Sequence, residues 1–433
     1  MIVLKGSEKM QNKHICIHNL CDSCLHIFNE QSFNTEACDM SCFAMKKACH
    51  NQQKYCVTCG QGLQSIEDFS KDLSLLQSAL KNKNIKVIGF VAPSVRVSLG
   101  DEFGLECGTN VQGKMISALR KLGFHQVFDM NIAADFTIME ESSEFIKRLK
   151  NNKNLPMFTS CCPGWVNYVL KVCPQYINNL TTCKSPQQIF GSLINTFYAK
   201  ENNFKSTDMF VVSIVPCLAK KLENKQDGLN TNVGFDVDVA ITTKELAKII
   251  KSNKIDFLNL EDQDYDTFFG SSSGAGAIFG NTGGVTEAVL RTAGETLANG
   301  QKKNLDYTMV RGLNGIKTTT INLDNRQIKI AVVSGLKNLN TILDELKENP
   351  NAYHFIEVMA CEGGCIGGGG QPTPNIEKSI ILKARAEGLY NYELTKQYKK
   401  AHENPAISKI YKKYIGVVGG TNAKKLLHRH YTK

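Results

Sequence analysis

Long apolar runs are missing from this chain. No stretch of its 433 residues approaches the ~18 consecutive apolar residues of a membrane-spanning helix, so no membrane partner is expected. The opening Met1–Lys9 has too short an apolar stretch for a secretory leader. It also lacks the Arg- and Ser-rich, acid-free character of a transit sequence, which leaves a cytoplasmic location as the expectation. No internal repeat is visible, and no nucleic-acid motif accompanies the basic residues, so no nucleic-acid partner is expected. Disulfides are not expected of a cytoplasmic chain, yet the sequence holds 16 cysteines. Metal ligation, cluster ligation or redox chemistry is the better reading of thiols at that density.

What is present is an ordinary globular composition, 42% hydrophobic and 21% charged, long enough for two or three domains. The net charge of +10 is concentrated at one end: Glu377 to Lys433 carries 13 Lys and Arg against 4 Asp and Glu. A basic segment of this kind can steer an acidic protein partner, or simply be a solvated surface. The cysteines divide into eight between Cys16 and Cys59 and eight spread through the remainder. Three segments follow from these shifts: a Cys-rich module at 1–65, a larger body at 66–376 and a basic helical segment at 377–433.

Residues 1–60 show little helical or strand periodicity, as expected where metal rather than core holds the chain. From Lys86 the pattern becomes α/β. Strands are predicted at 86–91, 126–129, 157–159, 209–215, 237–241, 328–333 and 355–359. Helices are predicted at 73–80, 111–122, 133–150, after Pro163, from Pro186 with Ser185 as N-cap, at 243–250 with Thr243 as cap, and at 286–298. Three of the strands end in cysteine sites. This fits α/β sheets flanked by helices, with ligands bound beyond the strand C-termini.

Those sites read Phe158-Thr-Ser-Cys-Cys-Pro-Gly-Trp165, Val215-Pro-Cys-Leu-Ala-Lys-Lys-Leu-Glu223 and Glu357-Val-Met-Ala-Cys-Glu-Gly-Gly-Cys365, the last followed by Gly367–Gly370 and Gln371. Cys162, Cys217, Cys361 and Cys365 together make the thiolate complement of one iron–sulfur cubane. Structural zinc favours paired, short-spaced ligands, and only Cys361 and Cys365 are close. Glycines around them would let backbone amides approach a cluster. Cys107, Cys173 and Cys183 read as buried spectators. Glu141, Glu144 and Arg148 fall on one helical face, which by itself reads as a solvated charged surface.

In this order the three segments closely resemble the signature motifs of the FeFe (iron-only) hydrogenases. The resemblance runs from about Ile85 to the C-terminus, including Ala401-His-Glu-Asn-Pro405. It implies two mixed or parallel sheets with a cluster between them, and reversible reduction of protons to hydrogen at an H-cluster. That cofactor is a 4Fe–4S cubane joined to a two-iron subsite bearing carbon monoxide, cyanide and an azadithiolate bridge. The implied ligands are Cys162, Cys217, Cys361 and the bridging Cys365. Cys161 would pass protons to and from the bridging amine, and Lys220 would bond one cyanide. The Pro93–Ser94 turn would bind the other cyanide, and Gln187, Met359, Phe279 and Gly280 would line the two-iron subsite. A proton path would run through Glu141, Thr181 and Glu144, with Thr181 standing where a serine is usual. Val215 departs from the methionine usual before the second Pro-Cys.

The resemblance further implies a ferredoxin-like acidic electron carrier and hydrogenase maturation proteins as partners. The N-terminal cysteines, Cys16, Cys21, Cys24, Cys38, Cys42, Cys49, Cys56 and Cys59, lack the register of a bacterial ferredoxin. One or two additional 4Fe–4S clusters are expected there, with zinc as the alternative. Two rivals of the enzyme are a hydrogenase-like iron–sulfur assembly or scaffold protein and a hydrogen sensor. The first typically lacks one of the paired cysteines and the Gly-rich run, and the second the relay thiol; this chain has all of them.

Overall fold

Two four-stranded sheets organise the chain, and both are built largely from parallel strands. The structure, a computed structural model, describes residues 64–431 other than 227, 230–233, 299–306 and 324–325. The eight N-terminal cysteines expected to hold clusters lie outside the described residues.

The first sheet has the order β2-β1-β4-β5, with β1 Lys86–Val91, β2 Gln126–Asp129, β4 Met209–Val215 and β5 Val239–Thr242, all parallel. The second has the order β3-β8-β7-β6, with β3 Met157–Phe158, β6 Ile316–Leu323, β7 Arg326–Ser334 and β8 Phe355–Met359. Within it only the β6–β7 pair is antiparallel. Strands such as Val211-Val-Ser-Ile-Val215 and Phe355-Ile-Glu-Val-Met359 are buried on both faces, which is why they read as continuous apolar runs rather than alternating ones. The helix Asn131–Asn151 packs against the helices Pro186–Leu193 and Gly284–Leu297 between these layers. The expected α/β architecture of two helix-flanked sheets is what the chain adopts.

Local details differ from the sequence reading. The predicted strand at 237–241 begins two residues later, at Val239. Thr242, not Thr243, caps the following helix: its side chain accepts from the Glu245 N–H while Glu245 bonds back to the Thr242 N–H. Ser185 has the extended backbone of an N-cap with Pro186 after it, but its hydroxyl donates to Glu223 instead of capping. Elements not foreseen include β6, the helix Leu339–Glu348 and the short helices Ala219–Glu223 and Gly274–Ala277. β6 is an edge strand with mixed burial, so its apolar pattern is weak, although the β-branched run Thr318–Ile321 was a usable signal.

The basic C-terminal segment is helical at Lys378–Thr395, Pro405–Ile410 and Thr421–Leu427. It is tied to the body by buried groups. Arg385 pairs with Asp101 at 2.6 Å and also donates to the carbonyls of Ile366 and Pro372. No helix of the described residues is long and apolar enough to cross a membrane.

Candidate active site

The C-terminal ends of β1, β3, β4 and β8 converge on one partly open cavity of about 70 Å³. Each strand delivers a motif as it ends. β1 leads into Pro93 and Ser94, β3 into Cys161 and Cys162, β4 into Pro216 and Cys217, and β8 ends at Met359 before Cys361 and Cys365. Gln187, Lys220 and Phe279 complete the set named from the sequence. Gly280 lies behind it; a Cβ there would meet Ser94 Cβ at 3.4 Å and clash with Leu389 at 2.5 Å. Met130, Ala134 and Gly364 also line the cavity and were not singled out. No sequence signal marked the first two, which are buried apolar residues like many others.

The glycine run has a more specific reason than access to a ligand. A Cβ on Gly368 would sit 2.4 Å from the Pro216 carbonyl oxygen, and one on Gly370 2.6 Å from Thr242. The Gly370 N–H donates to the same Pro216 oxygen at 2.7 Å. The glycines therefore dock the third motif onto the end of β4, which fixes Cys365 relative to Cys217. Gly363 and Gly364, at φ +77° and +87°, also turn the backbone through a region that side chains disfavour. Gln371 closes the arrangement, accepting from Ser98 and donating to the carbonyls of Ser94 and Cys365.

The thiols are free, and they are costly to ionise. Burial, then repulsion from Cys162, pushes Cys217 up to about 11 and Cys365 up to about 12. Cys361 is raised well above the ordinary thiol range, by burial first and then by its three neighbours. Such sulfurs, grouped with Cys162, become thiolates together only if a cation takes up their charge, and soft sulfur donors suit iron–sulfur centres. Ser94 Oγ is buried in the same wall without a protein hydrogen-bond partner among the described residues, leaving a hydroxyl for a polar ligand. The residues present thus fit an H-cluster.

Around the thiols the polar groups are tied down. Lys220 Nζ donates to the Cys161 carbonyl at 3.0 Å and to Glu223 Oε2 at 2.9 Å. Burial works against its charge, but the Glu223 carboxylate outweighs burial and holds the ammonium above its ordinary range. Glu223 was not named from the sequence, although it lies at i+3 from Lys220. Gln187 accepts from Ser213 at 2.8 Å and donates to the Lys220 carbonyl, Glu223 and Asn224.

The Glu141–Glu144–Arg148 face is not the solvated surface that charge alone suggests. Glu141 is fully buried and Arg148 is 8% exposed. Glu144 Oε1 takes two bonds from Arg148, and Oε2 accepts from both hydroxyls of Thr181 and Thr182, each at 3.0 Å. Glu141 meets no side-chain donor among the described residues. Burial first, then the nearby Glu144 carboxylate, raises it to about 8, with the Ser160 N–H acting in the opposite direction. Cys161 is also raised well above its ordinary value, by burial and then by Glu141. Burial thus disfavours the Cys161 thiolate, as it does those of Cys217, Cys361 and Cys365.

Comparison with known proteins agrees with this geometry. Residues 85–369 match the family model described as iron only hydrogenase large subunit, C-terminal domain, and residues 379–433 match iron hydrogenase small subunit. Iron hydrogenase 1 of Clostridium pasteurianum is 45% identical over 83% of this chain and 63% of that protein. The cytosolic Fe-S cluster assembly factor narfl of Xenopus tropicalis is 31% identical over 87% of this chain and 81% of its own length. A solved structure of apo FeFe hydrogenase HydA1 from Chlamydomonas reinhardtii superposes with a TM-score of 0.74 at 34% identity, covering 83% of this chain and 98% of that one. The chain spans less than two thirds of the length of the first curated relatives it matches. With two sheets whose ends enclose the matched cysteine motifs, the chain belongs to the iron-only hydrogenase large-subunit family and carries small-subunit sequence on the same polypeptide.

Proposed function

We propose that this protein is an FeFe hydrogenase that reversibly reduces protons to hydrogen with electrons from an acidic, ferredoxin-like carrier. The observation that carries the reading is one cavity lined by Cys162, Cys217, Cys361 and Cys365 and also by a fifth thiol, Cys161. The four thiolates would hold the cubane of an H-cluster, with Cys365 shared with the two-iron subsite. Ser94 and Lys220 would face that subsite's polar ligands, and Gln187, Met359 and Phe279 would shape its walls, with Gly280 behind them. Installing the group would call for hydrogenase maturation proteins. When bound, the cofactor supplies electrons and the position at which hydrogen forms.

The chain's own residues handle the proton. Cys161 Sγ holds one beside the cavity because burial and Glu141 disfavour its thiolate. Glu141, at about 8, can change protonation near neutral pH and interacts with both Cys161 and Glu144. The Thr181 hydroxyl, bonded to Glu144 Oε2, connects the carboxyl nearer the surface. The walls around the thiols are largely apolar.

The similarity to cluster assembly factors supports a second reading, a protein that carries iron–sulfur clusters without a two-iron subsite. An infrared spectrum of the matured protein decides between them. Carbon monoxide and cyanide stretches support the hydrogenase, and a spectrum without them after proper maturation overturns it. In the same reading one or two 4Fe–4S clusters bound by the cysteines of residues 1–65 bring electrons in. A 1–65 fragment that takes up zinc, and shows no reducible cluster after anaerobic reconstitution, removes that part.

A further inference from the structure

The C-terminal segment does more than cover the body. Residues 427–431 lie against 182–184: Lys184 N–H donates to the Leu427 carbonyl, Arg429 N–H donates to the Thr182 carbonyl, and Cys183 and His428 form a β-bridge. This pairing sets the His428 ring beside the relay residues. Its Nδ1 is 2.8 Å from Thr182 Oγ1, which is 3.0 Å from Glu144 Oε2. On the other side Nε2 is 2.9 Å from Glu140 Oε2. Glu140 is fully buried and also accepts from the Tyr411 hydroxyl at 2.6 Å and the Gly419 N–H at 2.8 Å.

We propose that His428 is a positioning residue for the proton relay, holding the Thr182 hydroxyl proton on Glu144 from a ring anchored by Glu140 and Tyr411. In this arrangement the protons follow from two contacts, Thr182 with Glu144 and His428 with Glu140. Thr182 has one hydroxyl proton, and in this arrangement it goes to Glu144 Oε2, which also accepts the Thr182 N–H at 3.0 Å. Thr182 Oγ1 is then an acceptor toward His428, so Nδ1 carries a hydrogen. Glu140 accepts at its other contacts, so Nε2 faces it as a donor too. The ring therefore faces a carboxyl on each side, Glu140 directly and Glu144 through Thr182. Arg148 and the Thr182 N–H on Glu144, and Tyr431, which donates to the Thr181 carbonyl, are further polar groups at this junction.

Glu144 Oε2 thus receives two hydroxyls, Thr181 from the body and Thr182 under the control of the C-terminal segment. Without the ring, the Thr182 hydroxyl can rotate away, and Glu144 Oε2 then keeps only the Thr181 hydroxyl and the Thr182 N–H. The small-subunit-like sequence would on this account be part of the proton path.

The proposal rests on reading Thr181–Glu144 as the proton path of a hydrogen-evolving enzyme, and its test has one arm that does not depend on turnover. In the full-length protein labelled with ¹⁵N in its histidine rings, the His428 signal is assigned by its loss in His428→Leu. A protonated Nδ1 is expected, and an unprotonated Nδ1 overturns the proposal. In the matured enzyme, His428→Leu and Thr182→Val should each lower kcat by at least about tenfold, because positioned proton-transfer groups are worth ~10²–10⁴-fold. KM for the reductant should not change. Combining them should cost no more than one alone, since both break the same link, and Thr182→Ser should restore the rate. His430→Gln, at an exposed neighbour, is the control. Full turnover in either single variant, or losses that multiply in the double, would sink the idea. Wild-type protein that evolves no hydrogen after maturation instead sinks the functional reading, and the nitrogen spectrum alone then decides this one.

Discussion

The Thr181 hydroxyl lies 3.0 Å from Glu144 Oε2, and the same Thr181 oxygen accepts the Cys183 N–H at 3.2 Å. With its acceptor side occupied by the backbone, the hydroxyl is oriented to give its proton to Glu144. Threonine therefore keeps the geometry that the family's serine implies.

Glu144→Gln should consequently lower hydrogen evolution by ~10²–10⁴-fold while cluster reduction by a small reductant is retained. Arg148 does not become an orphan, because it also donates to the carbonyls of Asn154, Asn179 and Leu180. Stopped-flow reduction beside gas evolution measures both quantities. Normal evolution by the variant removes Glu144 from the relay.

Much of this site was legible in the sequence because each motif sits at a strand end. Once the strands are assigned, parallel pairing of β3 with β8 sets Cys161 and Cys162 near Cys361, and pairing of β1 with β4 sets Pro93 and Ser94 near Cys217; the meeting of the two sheets is tertiary. What the sequence did not reveal depends on contacts between distant segments. Glu223 matters because Ser185, Gln187 and Lys220 all turn to it. Burial of Glu141 follows from packing of the Asn131–Asn151 helix, whose charges at i, i+3 and i+7 look solvated in isolation. The Gly368 and Gly370 contacts with Pro216 and Thr242 likewise join residues far apart in the chain.

Cys161→Ala should leave iron content and cluster spectra unchanged while most turnover is lost, since Cys161 is read as a proton carrier and not as a ligand. Cys161→Asp should recover part of the rate, as a carboxyl can also carry a proton. Iron analysis with gas evolution tests this, and a fully active Ala variant at full cofactor loading contradicts it.

Cys217→Ser and Cys365→Ser should lose iron outright, not merely slow the enzyme. Both sulfurs line the cavity and are held by the docking of Gly368 and Gly370 onto β4. Anaerobic iron determination with electron paramagnetic resonance gives the answer for each. A variant with wild-type iron and unaltered cluster signals would not have lost a ligand.

Glu141 also makes a prediction about stability. Its carboxyl rises from 4.5 to about 8 on folding, chiefly by burial and then by the Glu144 charge. Below pH 4.5 it is protonated in both the folded and unfolded chain and contributes no pH dependence. Between about 4.5 and 8 the folded chain keeps the proton that the unfolded chain releases, so stability falls as pH rises. Above about 8 both are ionised and the full penalty, on the order of a few kcal/mol, is present. Glu141→Gln cannot ionise and should escape this loss. In urea unfolding of the iron-free chain, the stability of Glu141→Gln relative to wild type should therefore grow from pH 5 to 8 and then level off. Because every other titrating group is common to the two proteins, their difference isolates Glu141. Parallel pH curves would mean that the carboxyl is not held protonated by its burial, and would remove the basis for giving it a proton near neutral pH.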